Sequence, residues 1–314
     1  NLDIQGTTTI LDGQIKANTL SGFEGGFASI TGAQSAIVRS SKSLPENFTF
    51  QDPIPVEFSN QALIKAEGFS GLGVRELSIG DVTITQRITF EENAVLRANA
   101  VALAGGETIS FGKNSMVQTL GSQGTISLFA PEGTITVEEQ ALLEVSDTLN
   151  ITAMSIALKG KVLGREGALW VKTGEAFIVS NDYQKQGLDG MVLTESLSGF
   201  EGFSSVAIQA DNALTFKGGV DLAVGATLVL DTPQIVGQNK VSVKAETITL
   251  MNTGVGDSNI PDTFNTTGEL GFSCGEMTIG HGDIVLNGFE KVSLAANNDV
   301  ILTGKGSLLS SGAL

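Results

Sequence analysis

Cysteine and histidine are almost absent from this chain of 314 residues. Cys274 is the only cysteine and His281 the only histidine. An intrachain disulfide, a CxxC redox pair, a cysteine-rich zinc site and a site with several histidine ligands are therefore excluded. Burial of apolar side chains and backbone hydrogen bonds must hold the fold together.

Positive charge and long apolar runs are also scarce. The chain has 18 Lys and Arg against 34 Asp and Glu, which gives a net charge of −16. This balance argues against binding nucleic acid or an anionic membrane surface, because phosphate groups would be repelled. No stretch approaches the roughly 20 apolar residues of a membrane helix. We therefore expect no nucleic acid partner and no membrane span.

What the chain does contain is a succession of short apolar runs separated by Gly, Asn or Asp. The runs are rich in Val, Ile and Thr, which lose rotamer freedom in helices. Apolar and polar residues alternate within them, as is typical of strands. Examples are residues 77–79, 82–84, 125–129, 134–137 and 247–250. The sequence predicts an all-β protein.

An irregular repeat favours a solenoid over a sandwich or a barrel. Gly68-Phe69, Gly199-Phe200 and Gly288-Phe289 each precede two apolar runs that are separated by a turn with an acidic residue. We expect Phe69, Phe200 and Phe289 to stack in the core at corresponding positions of successive rungs. Rungs of about 20 to 25 residues are typical of such coils.

The predicted domain is one continuous β-solenoid over residues 1–314, interrupted by three loop excursions at 39–60, 180–202 and 251–275. The first contains half of the six prolines, and proline removes the backbone donor that a central strand needs. The other two are rich in Gly and polar residues. Residues 307–314 still resemble a strand and a turn without a polar cap, so we expect the natural chain to be longer.

Catalytic signatures are scarce: the sequence has no GxxxxGK[ST] or HExxH motif. His281 lies in a Gly-His-Gly-Asp turn, where a solvated turn residue is a simpler explanation than a proton-transfer group. Cys274 is explained as an inert packed residue more simply than as a reactive thiol. We predict no catalytic residue and no cofactor.

Turn carboxylates raise the question of a metal site. Asp81, Asp211, Asp221, Asp231 and Asp299 could bind calcium if they were stacked. They lack the spacing of calcium-binding nonapeptide repeats, and Asp is a good turn former because its side chain accepts nearby backbone hydrogen bonds. We therefore predict no metal site.

A polysaccharide-active enzyme is the alternative. Parallel β-helix folds also carry lyases and glycosidases, whose chemistry needs carboxylates clustered in a groove. Glu91-Glu92 and Glu138-Glu139 are adjacent pairs that follow apolar runs. If those strands continue through them, the two side chains of each pair point to opposite faces. Trp170 and Tyr183, near or within the 180–202 excursion, are candidate partner contacts because aromatic rings can stack on sugars.

Several of these patterns together resemble the filamentous haemagglutinin family of large exoproteins, which are substrates of two-partner secretion. The resemblance covers most of the chain. It rests on Gly199-Phe200 leading to Ile208, on the segment from Leu214-Thr215-Phe216 to Leu228-Val229-Leu230, on residues 241–250, and on the proline-containing excursion that returns at residues 62–66. The NPNL, RGD and VENN motifs known in parts of this family are absent.

The resemblance implies a right-handed parallel β-helix shaft that is secreted to the bacterial cell surface. It also implies a role in adhesion, biofilm or an extracellular filament, with no catalytic residue. The expected partners are the remainder of its own chain, identical copies in a filament, and a host or bacterial cell-surface glycan or protein. The expected function is thus a non-enzymatic structural or adhesive segment of a surface exoprotein, with the β-helical lyase or glycosidase as the alternative.

Overall fold

The computed structural model of the chain describes residues 1–15, 25–49, 51–70, 73–184, 187–188, 190–254, 267–310 and 312–313. It confirms an all-β fold of the parallel β-solenoid type. The chain divides into two compact units: unit 1 contains residues 1–167 and 199–201, and unit 2 contains residues 168–198 and 202–314. No helix in the described ranges is long and apolar enough to span a membrane.

Unit 1 consists of three ladders of parallel strands. Ladder 1A contains β1 (Leu2–Gln5), β3 (Phe27–Thr31), β6 (Glu76–Ile79), β9 (Val101–Ala104) and the first parts of β12 (Thr125–Val137) and β14 (Thr148–Leu158). Ladder 1B contains β2 (Thr9–Leu11), β5 (Gln61–Lys65), β4 (Ser35–Arg39), β7 (Arg87–Phe90), β10 (Thr108–Phe111) and the second parts of β12 and β14. Ladder 1C contains β8 (Val95–Ala98), β11 (Met116–Thr119), β13 (Leu142–Val145) and the start of β15 (Lys161–Val179).

The register of these ladders follows the apolar pattern. On ladder 1A the aligned residues Leu77, Val101, Ile126 and Leu149 are 23 to 25 positions apart, as expected for one rung. All four are buried, whereas the residue next to each of them on its own strand is partly exposed. Because side chains alternate across a strand, one apolar residue in two is enough to fill the inside of the coil.

An aromatic pair marks the core of ladder 1B. Phe90 and Phe111 occupy aligned positions between Val38 on one side and Val137 on the other. Their ring centroids are 5.0 Å apart with an interplanar angle of 31°, and both side chains are fully buried. In-register stacking of like residues on successive rungs therefore occurs here.

A recurrent tight turn joins ladder 1B to ladder 1C. Asn93, Asn114 and Gln140 have φ of 62°, 58° and 63°, the left-handed region that Asn tolerates better than most residues. Each precedes a buried small residue whose N–H donates to the carbonyl three positions earlier, as in Ala94 to Glu91. The same turn on successive rungs keeps the next strands in register.

The first excursion changes the strand order of ladder 1B. Between β4 and β5 the described residues hold one 3₁₀ turn, Val56–Phe58, and no strand. The chain then returns and inserts β5 between β2 and β4, so that Ile64 aligns with Leu11 and with Val38. A second 3₁₀ turn, Ala66–Gly68, follows β5. Ladder 1B thus gains one strand that ladder 1A lacks.

Unit 2 repeats the three-ladder plan. The last part of β15 pairs with β16 (Met191–Thr194). Ladder 2A contains the middle of β17 (Phe200–Lys217), β19 (Thr227–Asp231), β22 (Thr247–Met251), β24 (Glu276–Ile279) and β27 (Val300–Leu302). Ladder 2B contains the end of β17, β20 (Gln234–Val236), β25 (Ile284–Asn287) and β28 (Leu308–Ser310). Ladder 2C contains β18 (Val220–Ala223), β21 (Lys240–Lys244), β23 (Gly268–Cys274) and β26 (Phe289–Ala296).

The second and third predicted excursions are not loops throughout. The 180–202 range holds β16, which aligns with Ala176–Val179, and it also holds the start of β17. The 251–275 range holds β23, whose residues alternate between buried and exposed on ladder 2C. Gly254, Gly256, Pro261 and the polar residues of this range suggested a loop, but residues 269–273 align with β21 and form a strand. Residues 185, 186, 189 and 255–266 of these ranges lie outside the described residues.

The Gly-Phe repeat does not mark equivalent positions. Residues 206–208 lie on ladder 2A, whereas residues 292–294, the corresponding run of the next copy, lie on ladder 2C. Residues 82–84, predicted as a strand, form a turn because the Asp81 carboxylate accepts hydrogen bonds from the N–H and hydroxyl of Thr83. Phe69, Phe200 and Phe289 are all buried. The aromatic residues that stack on successive rungs are instead Phe90 and Phe111.

The buried aromatic pair gives a test of the core. We expect Phe111→Ala to lower the free energy of unfolding by about 3–5 kcal/mol, because it removes a fully buried ring and leaves a cavity. The control is Phe129→Ala, which truncates a ring that is 42% exposed on β12 and should cost less than about 1 kcal/mol. Urea denaturation measures both. Equal losses for the two variants would contradict this assignment of the core.

Candidate functional site

The two aromatic residues predicted as partner contacts both belong to unit 2. Trp170 lies on β15 and is 53% exposed. Tyr183 is half-buried in the turn after β15, where its N–H donates to the carbonyl of Ser180. The ring of Tyr183 lies beside Gly218. Tyr183 and Gly218 line an open depression together with Ser180, Asp182, Gln184 and Gly219. Trp170 does not line this depression.

The two candidate reactive side chains have structural surroundings. His281 is exposed in its turn, with its ring against Gly304. Cys274 is buried at the end of β23, and its Sγ lies 3.7 Å from the carbonyl oxygen of Ala295. Burial raises the pKa of the Cys274 thiol, because desolvation disfavours the thiolate. This environment favours an unreactive packed residue.

Several predicted turn carboxylates bind groups of the protein itself. Asp221 pairs with Lys244 at 3.3 Å and Asp211 pairs with Lys172 at 3.9 Å. Asp231 accepts a hydrogen bond of 2.7 Å from the N–H of Thr253. In the ranges that the structure describes, no group of three or more His, Cys, Asp or Glu side chains is arranged to hold a metal ion.

The strands do not continue through the adjacent glutamates, because β7 ends at Phe90 and β12 ends at Val137. Glu91 pairs with Arg39 at 2.6 Å and Glu138 pairs with Lys159 at 3.0 Å, while Glu92 and Glu139 are exposed. Each paired glutamate contacts a cation from a neighbouring rung. One carboxylate of each pair is therefore already neutralised by a cation of the chain.

A polar network crosses the outer face of ladder 1C. The Nε of Arg97 donates to Gln118 at 2.9 Å, and the amide of Gln118 donates to Glu144 at 2.6 Å. Glu144 also forms an ion pair with Arg165. These residues come from four successive rungs, since Arg97, Gln118 and Glu144 are aligned in the ladder. Each charged group of this network therefore has a polar or oppositely charged partner on a neighbouring rung.

A polar cleft lies at the corner between ladders 1A and 1B. It is lined by Gln34, Ser35, Ser59, Asn60, Gln61, Gln86, Arg87 and Glu107. These residues form two columns at the start of ladder 1B, because β5, β4, β7 and β10 are neighbours in that order. Asn60, Gln34, Gln86 and Glu107 immediately precede these strands, and Gln61, Ser35 and Arg87 begin three of them. We call this site the corner cleft.

The sequence reasoning missed the corner cleft, although a signal was present. A residue with a planar polar side chain directly precedes four strands of one ladder, in Asn60-Gln61, Gln34-Ser35, Gln86-Arg87 and Glu107-Thr108. A further signal is a 12-residue repeat: residues 87–98, 108–119 and 134–145 share a strand, the left-handed turn and a second strand. Aligning these segments would have placed Gln86 and Glu107, which precede the first two, in one column.

No protein-family model matches the chain, and neither the curated proteins nor the solved structures give a match. The candidate sites must therefore be judged from the geometry described above.

One half-buried carboxylate gives a test of the electrostatics. Burial raises the pKa of Glu175, and a hydrogen bond from the side chain of Asn212 partly opposes this. A carboxyl whose pKa is higher in the folded chain contributes less stability as the pH rises through the ordinary glutamate range. We expect Glu175→Gln to raise the unfolding midpoint at pH 7 and to show little difference from the parent near pH 4.

Thermal unfolding followed by circular dichroism between pH 4 and pH 8 measures this effect. The control is Glu246→Gln, which changes an exposed glutamate of the same unit and should leave the midpoint unchanged across the range. A gain for Glu175→Gln that is independent of pH would contradict the role of burial.

Proposed function

We propose that this chain is a non-enzymatic structural and adhesive segment of a secreted bacterial surface protein. One observation carries the proposal: many charged side chains in the described residues are paired with partners on neighbouring rungs. Examples are Arg87 with Glu107, Lys159 with Glu138 and Lys244 with Asp221. An ion pair between stacked strands contributes to register and solubility, while a lyase or glycosidase needs carboxylates that face a substrate.

The extracellular location and the adhesive role rest on the resemblance to filamentous haemagglutinin exoproteins. The all-β parallel solenoid supports this proposal because it is the fold that the resemblance implies. A stack of rungs also presents side chains at regular spacing over a large area, which suits contact with an extended or repetitive partner. The proposed partners are a surface glycan or protein, other copies of the chain and the remainder of its own chain.

Labelling of intact cells tests the proposed location. Antibodies against the purified chain should label intact bacteria that produce it, or detect it in the culture medium, before any lysis. The matched control is a cytoplasmic protein of the same cells, which should be labelled only after permeabilisation. Labelling of this chain that also requires permeabilisation would contradict a surface role.

Catalysis is tested separately with acidic and neutral polysaccharides as substrates. We expect no release of reducing ends or unsaturated products above the level of heat-denatured protein. Release that a single carboxylate substitution abolishes would favour the β-helical enzyme instead.

Trp170 remains the predicted partner contact with the largest exposed aromatic surface. We expect Trp170→Ala to lower the binding of the fluorescently labelled chain to intact producing cells several-fold, because Trp is enriched among residues that dominate binding energy. The control is Val56→Ala, which removes an apolar side chain that is 83% exposed in unit 1. Flow cytometry measures binding, and unchanged binding by the Trp170 variant would remove it as a contact.

A further inference from the structure

We infer that the corner cleft of unit 1 binds a short segment of an uncharged glycan. This inference rests on the proposed adhesive function and names a site and a ligand class for it. The argument depends on the shape of the cleft, the hydrogen-bonding capacity of its side chains and their net charge.

The shape of the cleft follows from the first excursion. β5 inserts beside β4. Asn60, with φ of 62°, forms the turn that leads into β5. The carbonyl of Asn60 accepts from the N–H of Ser35, and that of Gln34 accepts from the N–H of Gln86. The rungs at this corner are thus tied to one another by backbone hydrogen bonds. The cavity of about 380 Å³ falls within the range of about 300–1,000 Å³ that is usual for small-ligand sites.

The side chains of the cleft have unused hydrogen-bonding capacity. Among the described residues, the amides of Gln34, Asn60 and Gln86 make no hydrogen bond to another protein group, whereas Gln61 donates to the carbonyl of Glu57 at 3.0 Å. Each amide offers two donors and an acceptor. Hydroxyl groups on neighbouring carbons of a sugar also present donors and acceptors in pairs. Stacked amides therefore match a chain of sugar rings better than a single polar atom would.

The amide of Gln86 has a defined position. Its Oε1 would lie 2.8 Å from a Cβ at residue 106, where the chain has Gly106. The missing side chain leaves room for the amide beside the strand. A methyl group at this position would displace the Gln86 amide without removing it.

The charges of the cleft favour a neutral ligand. Arg87 and Glu107 are paired at 3.1 Å, both are more than half exposed, and no other lining residue is charged. The cleft therefore has no net charge in a chain whose total is −16. A polyanionic glycan would be repelled by the surrounding negative surface. A cation would be bound weakly, because Glu107, the one carboxylate of the cleft, is already paired with Arg87.

The expected affinity is low. Among the described residues, no aromatic side chain lines the cleft, so none of these rings can stack on a sugar face. We expect a Kd of about 1 mM for a trisaccharide, a value typical of a few exposed hydrogen bonds. Attachment at this affinity would require many copies acting together on a repetitive glycan.

Saturation-transfer difference NMR on the 314-residue chain tests the inference with maltotriose, cellotriose and mannotriose as neutral probes and trigalacturonic acid as the acidic probe. We expect at least one neutral probe to bind with a Kd of about 1 mM and the acidic probe to bind at least tenfold more weakly. The double variant Gln34→Ala/Gln86→Ala should weaken binding at least fivefold, and Gly106→Ala should weaken it less.

The matched control is Gln5→Ala, the same truncation of an exposed glutamine on ladder 1A, which should bind as the parent does. Absence of binding by all neutral probes, or full binding by the double variant, would overturn the inference. If the chain labels intact cells and yet binds no neutral probe, the glycan site fails and the proposed surface role stands.

Discussion

The parallel backbone hydrogen bonds between neighbouring rungs are the constraint on which the rest of this structure depends. They hold successive strands about 4.8 Å apart and place each residue against its counterpart on the next rung. Once this register is set, the same side-chain position is repeated along the stack. An apolar position becomes a buried column, as with Leu77, Val101, Ile126 and Leu149, and a charged position becomes a line of ion pairs.

The interruptions of this pattern produce the surface features. The excursion after β4 adds a strand to ladder 1B and creates the corner cleft. In unit 2, β20 pairs directly with β25, while β22 and β24 are neighbours on ladder 2A. Ladder 2B therefore has one strand fewer at this point. Binding surfaces can be built at such points without disturbing the register of the core.

The sequence predicted the fold because local patterns determine it. Alternating Val, Ile and Thr in short runs indicated strands, and the rotamer freedom that these residues lose in helices argued against a helical domain. The predicted rung of about 20 to 25 residues agrees with the spacing on ladder 1A. The choice of repeat was wrong in detail. Gly-Phe is conspicuous, but Phe200 begins β17, whose middle lies on ladder 2A, and Phe289 begins β26 of ladder 2C.

The corner cleft could not be predicted from local patterns alone. Gln34 and Asn60 are separated by the excursion, and their contact depends on the insertion of β5 between β2 and β4. Nothing in the residues of β5 distinguishes this insertion from ordinary addition at the next rung. In the same way, the strand at residues 268–274 was predicted as part of a loop because Gly254, Gly256, Pro261 and the polar residues of the 251–275 range outweighed the apolar residues that align with β21.

The most direct test of the register is disulfide trapping on ladder 1B. In a Cys274→Ala background, cysteines at Thr89 and Ser110 should form an intramolecular disulfide on mild oxidation, because aligned Cα atoms on adjacent rungs lie about 4.8 Å apart. Cysteines at Thr89 and Thr136, two rungs apart at about 9.6 Å, should remain reduced. Mass spectrometry distinguishes the two results. Failure of the first pair to form, or equal formation of the second, would contradict the in-register stack.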